Sequence, residues 1–310
     1  MLFTRTLTLA SRLSETRNLG GLWKGWNDRL ASQNLFPQRK MSTVTCTKNG
    51  SIAQVELSRP AQGNAMNAAF WKEFRETFQA LAKDTEVRCI ILSGQGKFFT
   101  VGLDIKDTSL LALPDDADSA RKAFHMRNKI LEMQETFNVI EKCPQPVIAC
   151  VHNACIGGGI DMICACDIRL CTKDAFFSIK EVDIGLAADV GTLQRIQHVI
   201  GSSSLVRDLA YTARRMPSDE AHRYGFVSQM FETKDEMLKY ALQVANTIAS
   251  KSPVAIMGTK HNLNHSRGKS VGEALEYMAT WNAAMLQTDD LASAAIASLK
   301  KQSQPEFSKL

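Results

Sequence analysis

Residues 146–171, PVIACVHNACIGGGIDMICACDIRLC, decide how this chain is built. The run from Val147 to Val151 is apolar throughout and rich in β-branched residues, the pattern of a short strand buried on both faces. Gly157-Gly158-Gly159 interrupts it, and IDMICACD behind the glycines reads as a short apolar helix. IRLC and then AFFSI return to strand composition. Strand, glycine turn, helix and strand in succession predict an α/β architecture. Backbone N–H groups at a helix start point outward with the positive end of the dipole behind them, which suits an anion or a developing oxyanion. The glycines match neither G-x-G-x-x-G nor a loop ending in G-K-S/T, so a nucleotide-phosphate loop is disfavoured, while glycines that merely let the helix pack closely remain an alternative.

Upstream, TVTCTKNGSIAQVELSRP (43–60) reads as two short strands about a Lys48-Asn49-Gly50 turn, closed by Pro60. The spacing of Phe70, Phe74, Phe78 and Leu81 predicts a helix over 66–82, CIILSG (89–94) a buried strand, and a helix over about 119–142 follows a Pro/Asp-rich loop. Downstream of residue 202 the pattern is mainly helical. Ser218 is the expected cap of DEAHRYG, and Ser252-Pro253 opens one of three last helices at about 233–250, 253–266 and 270–286. The expected division is a leader over 1–40, an α/β core over 41–232 and a C-terminal helical subdomain over 233–310.

The formal charge of +5 sits in the leader, where seven Lys/Arg face Glu15 and Asp28, leaving 30 basic and 30 acidic residues in 41–310. A nucleic-acid face would need its excess on the folded part, so no nucleic-acid partner is expected. Arg5, Arg12 and Arg17 among Leu, Ser and Thr instead have the character of a mitochondrial presequence, and no apolar stretch there is long enough to enter a bilayer as a span. Ser308-Lys309-Leu310 is a peroxisomal address when it stands at a free C-terminus. Initiation at Met41 would remove the leader and leave only that signal. These features predict residence in mitochondrion and peroxisome, with the import receptors of both as partners. The eight cysteines contain no C-x-x-C pair and lie in apolar runs, so reduced core residues are expected; the six histidines show no ligand spacing, and no metal is implied.

Two further segments can carry chemistry. Gly94 to Asp104 is a glycine-punctuated loop leaving a buried strand, able either to make a tight turn or to turn free N–H groups toward a carbonyl oxygen. Asp161, Glu181 and Asp189 each stand among apolar neighbours, where an unpaired carboxylate is costly to ionise and its pKa rises toward values useful in proton transfer. The alternative is that each caps a helix or faces solvent, Asp189 above all.

Taken together, these segments resemble the crotonase (enoyl-CoA hydratase/isomerase) superfamily over about residues 45–290. Arg59-Pro60 with Asn64-Ala65 is similar to its early R-P-x-x-x-N-A motif, Val101-Gly102-Leu103-Asp104-Ile105 to its A-G-x-D segment, and Gly157-Gly158-Gly159 to the G-G-G before its active-site helix. The resemblance implies a spiral of ββα units with a C-terminal helical region that builds trimers or dimers of trimers. It implies acyl-CoA thioester substrates, no separate cofactor because CoA belongs to the substrate, and an oxyanion hole from the N–H groups of Leu103 and Gly158. Hydratases of the family carry glutamate at the positions of Asp161 and Glu181 and usually glycine at that of Asp189. This chain departs at two of the three and is similar instead to the family's dienoyl-CoA isomerases. On that likeness Glu181 is assigned to substrate C2 and Asp189 to C6, an order whose exchange fits the sequence equally, and Asp161 orients the pair or tunes their coupled titration. A 2-enoyl-CoA hydratase and a non-catalytic binding protein on the same scaffold are the alternatives. Arg59, Lys97 and Lys260 are cations of the type a CoA phosphate would need.

Overall fold

The computed structural model describes residues 43–113, 116–303 and 305–310; the expected leader lies outside the described residues. In chain order the strands and helices are β1 (Val44–Asn49), β2 (Ile52–Leu57), α1 (Ala68–Ala82), β3 (Cys89–Gly94), α2 (Ser119–Lys142), β4 (Val147–Val151), β5 (Ala154–Ile156), α3 (Gly158–Cys164), β6 (Ile168–Thr172) and β7 (Phe176–Ser178). They continue with α4 (Thr192–Arg195), α5 (Ser203–Thr212), β8 (Met216–Pro217), α6 (Ser218–Arg223), β9 (Gln229–Phe231), α7 (Lys234–Ala249), α8 (Pro253–His265), α9 (Val271–Met285) and α10 (Asp289–Leu299).

The larger sheet runs β1-β2-β3-β4-β6-β9, antiparallel only in the β1–β2 hairpin and parallel beyond it. A smaller sheet runs β5-β7-β8, and two single bridges extend it, Thr100 to Cys155 and Met66 to Leu103. β2, β3, β4 and β6 are each followed by a step across to the smaller layer, at Met66, Thr100, β5 and β7, and then by helix, so the ββα order repeats along the chain. That repetition is the expected spiral. It sets the second strands of successive units side by side, and these carry the site.

Side-chain alternation shows why the strands are apolar without a break. In β3 and β4, Ile90, Leu92, Val147, Ala149 and Val151 face the core shared with α1 and α2, while Cys89, Ile91, Ile148 and Cys150 face Met237, Ala241 and Ala245 of α7. Phe70, Phe74, Phe78 and Leu81 form the buried stripe of α1, and Phe74 stacks on Phe78 at 4.8 Å between ring centroids. The helix starts at Ala68 because the Asn67 side chain accepts from the Phe70 N–H.

Two expectations change. Ser218 does not cap the helix after it: the N-cap position is Pro217, without a side-chain bond, and the Ser218 hydroxyl donates to the Lys173 carbonyl at 2.6 Å. A fourth late helix, α10, follows the three that were expected, with Thr288 as its cap. Ser252 does cap α8 as expected, accepting from the Ala255 N–H. All eight cysteines are unpaired and, Cys46 apart, buried. No helix among the described residues is long and apolar enough to cross a membrane, and none of their His, Cys, Asp and Glu side chains group as metal ligands.

Candidate active site

The glycine loop after β3 is held from outside. Asn64, buried and with φ of 56°, donates from Nδ2 to the carbonyls of Gln95 (2.9 Å), Phe98 (2.9 Å) and Phe99 (3.1 Å), and its Oδ1 accepts from the Arg59 N–H. His152 meets the Gly96 carbonyl and Lys234 donates to that of Gly94. Residues 100–104 then run between Met66 and β5. The N–H of Val101 goes to the Gly63 carbonyl, that of Gly102 to the Thr100 hydroxyl, and that of Asp104 to the Met66 carbonyl. Leu103 is left over, its N–H without an acceptor among the described residues. The reason is the parallel bridge: Met66 takes both neighbours, Gly102 through its oxygen and Asp104 through its nitrogen, so the Leu103 amide points the other way.

That direction leads to the triple glycine. A methyl on Gly102 would sit 2.7 Å from the Ile156 carbonyl oxygen and 3.6 Å from the Gly157 Cα, so the two segments are in contact. Gly157 has φ of 54° and ψ of −123°, a conformation closed to side chains, and this turn starts α3 with the Gly158 N–H at its open end. Gly158 in turn lies against the Met66 sulfur. Leu103 and Gly158 therefore each keep an N–H without an acceptor among the described residues, on segments that touch at Gly102 and Gly157.

The acids surround this point. A methyl on Gly157 would be 3.4 Å from Glu181 Oε1, which puts that carboxyl beside the second amide. Glu181 opens a single 3-10 turn (Glu181–Ile184), is almost fully buried, and has no partner for its Oε2. Burial, and after it the charge of Asp161, push its pKa up to about 7. Asp161, on α3 and fully buried, accepts the Thr192 N–H on Oδ1 at 2.5 Å and has no donor for Oδ2. Burial raises it to about 6, with Arg195 working in the opposite direction. Asp189 is more exposed and is raised by partial desolvation. Its charge adds to the rise of both other acids. The helix-start alternative for Asp189 falls away, because α4 begins on Gly191 with no side-chain cap.

Of the remaining candidates, Val101 and Asp104 turn inward: Asp104 pairs with Arg59 at 2.9 Å and Ile105 stands 72% exposed beside it. Lys260 is not a surface cation, since its ammonium is buried among the Ile140 and Gln145 carbonyls and Asp167 Oδ2 at 2.8–2.9 Å. Arg59 likewise spends its guanidinium on Asp104 and the Ala65 carbonyl, while Lys97 lies over the Phe98 ring. Asn64 and Arg195 were not anticipated as site supports. Asn64 stands inside a quoted motif and could have been suspected from it, whereas nothing in the sequence pairs Arg195 with Asp161.

Known proteins with this combination can now be compared. The enoyl-CoA hydratase/isomerase family model matches residues 47–309. The mouse protein named Delta(3,5)-Delta(2,4)-dienoyl-CoA isomerase, mitochondrial, is 53% identical over 84% of this chain and 80% of its own. An Arabidopsis thaliana protein of the same name, designated peroxisomal, is 44% identical over 88% of this chain and 98% of its own. Among solved structures, an enoyl-CoA hydratase from Bacillus anthracis superposes with a TM-score of 0.76 at 23% identity, covering 86% of this chain and 98% of the other, a likeness of fold alone. A spiral of ββα units, two open amides beside a buried pair of acids, and a family match across nearly all the described residues lead to one statement: the chain belongs to the enoyl-CoA hydratase/isomerase family.

Proposed function

We propose that this chain converts 3-trans,5-cis-dienoyl-CoA to 2-trans,4-trans-dienoyl-CoA, a step in the oxidation of unsaturated fatty acids. The observation that carries the reading is a third acid, Asp189, on the loop whose Thr192 N–H binds Asp161 beside Glu181. Glu181 as carboxylate takes a proton from C2, and the electron pair delocalises into a dienolate whose oxygen is held by the N–H groups of Leu103 and Gly158. Such donors contribute about 3–4 kcal/mol each in comparable acyl chemistry. Asp189 as acid returns a proton to C6, leaving double bonds at C2–C3 and C4–C5. C2 and C6 are too far apart for one carboxyl to serve both, so a second acid is needed. One C–H is lost and one gained, so the reaction balances without a redox partner. Asp161 tunes Glu181 through its charge.

The relatives' designations support residence in mitochondrion and peroxisome, with import receptors as transient partners. The apolar residues left exposed on the late helices, among them Val271 at 76% and Leu299 at 85%, support assembly as a trimer or a dimer of trimers.

The test is ultraviolet absorbance of the purified protein with a 3,5-dienoyl-CoA and with a 2-enoyl-CoA, for wild type and Asp189→Asn. Rapid growth of the conjugated 2,4-dienoyl band, lost in the variant, is the expected result. Loss of the 2-enoyl band unaffected by the substitution would make the protein a hydratase, and silence on both substrates would favour a binding protein.

A further inference from the structure

Gln134, Asn138 and Glu141 fall at spacings of four and three along α2 and so share one face of it. All three reach toward the segment that carries Asp189. Gln134 Nε2 donates to the Asp189 carbonyl at 2.7 Å. Arg195 Nη2 donates to Asn138 Oδ1 at 2.6 Å and to Glu141 Oε2 at 2.8 Å. The other edge of that guanidinium lies against Gly191: a methyl there would meet Arg195 Nη1 at 1.8 Å, and Gly191 has φ of 134°. The next residue, Thr192, gives its N–H to Asp161. Arg195 is thus wedged between a fixed helix and a bent loop, with Asp189 two residues to one side of Gly191 and the Asp161 contact at the next residue. Its Nε is buried with no acceptor, as Asp161 Oδ2 is buried with no donor.

We propose that Arg195, clamped by Asn138 and Glu141, is a positioning residue of the reaction, fixing through Gly191 the place of Asp189 and of the Thr192 N–H that binds Asp161. It touches no reacting atom. The charged groups that face it are Glu141 from α2 and Asp161 from α3, and Arg267 pairs with the far oxygen of Glu141. Glu135 joins through Asn138.

The inference rests on the isomerase reading, and its test separates the two. Arg195→Gln removes the cation that lowers Asp161, so the proton on Asp161 is held more tightly. The Asp161 titration shifts to higher pH by about one unit. kcat falls by about 100-fold from misplacement of Asp189 while KM stays within a few-fold. Glu141→Gln removes an anion competing for Arg195, so the same titration moves to lower pH. Arg195→Lys restores the titration but not kcat, because an ammonium cannot make the forked contact. Opposite displacements from two neighbouring substitutions are not produced by loosened packing. Titration of the buried carboxyl band in the infrared reads the same shifts without turnover. If wild type leaves the 3,5-dienoyl thioester unchanged, the isomerase reading fails and the infrared titration still decides the role of Arg195. Shifts of one sign in both variants, or none, would overturn it.

Discussion

Replacing Asp161 by Asn separates what this carboxyl does for the reaction from what it does to the fold. Its pKa rises from 3.8 to about 6 on folding, so between those values the folded protein binds a proton that the unfolded chain has released. Folded stability therefore falls as pH rises through this window, and above it the penalty is complete at about 3 kcal/mol, from a little over two units at about 1.4 kcal/mol each. Asn keeps the oxygen that accepts from Thr192 and replaces an oxygen that has no donor. Its amide then lacks an acceptor, a pH-independent loss of about 1 kcal/mol. The variant should be slightly less stable than wild type at pH 4 and about 2 kcal/mol more stable at pH 8. Removing the Asp161 charge also lowers the pKa of Glu181, which Asp161 helps to raise, so the rising limb of the activity profile moves to lower pH while kcat drops. Urea unfolding at the two pH values measures the first effect and a kcat–pH profile the second. A stability difference that is the same at pH 4 and pH 8 would refute the argument, because it would mean that Asp161 is ionised alike in both states.

Wild-type activity should climb with pH through about 7, where Glu181 becomes a carboxylate; a profile flat from pH 5 to 9 would exclude Glu181 as the base. Asn64→Ala frees three carbonyls of the glycine loop and puts alanine in a left-handed conformation, so unfolding free energy should fall by about 3 kcal/mol and the oxyanion contribution with it, measured by denaturation and by kcat together. Lys260→Met leaves the Asp167 carboxylate and two carbonyls without their cation, and thermal unfolding should show a loss of about 3–5 kcal/mol with KM for the thioester little changed. A raised KM without loss of stability would restore Lys260 as a phosphate contact.

Much of the architecture was legible because local pattern and tertiary fate coincide in it. CIILSG is β3 residue for residue, and 119–142 is α2, since continuous apolar composition in the first and an Asp-rich entry to the second leave few other outcomes. The three acids stood out as carboxylates among apolar neighbours, and burial is what raises Asp161 and Glu181. What stayed hidden depends on partners distant in sequence. Lys260 looks like any surface lysine until Ile140, Gln145 and Asp167 converge on it, and Arg195 acquires meaning only when α2 lies alongside. Ser218 carries a cap's chemistry, but the Lys173 carbonyl claims its hydroxyl. The Ala- and Ser-rich α10, capped by Thr288, went unread.

The covering of the large sheet by α7 has a consequence for synthesis on the ribosome. Cys89, Ile91, Ile148 and Cys150 present an apolar face whose cover, Met237 to Ala245, is made roughly 140 residues after β3. At about 5–20 residues per second that face stays open for about 7–30 s in every nascent chain. Two thiols that burial renders inert in the finished protein are within reach of oxidants during that interval. The yield of folded protein should therefore respond to chaperones and to redox conditions at translation, even though the mature protein exposes neither sulfur.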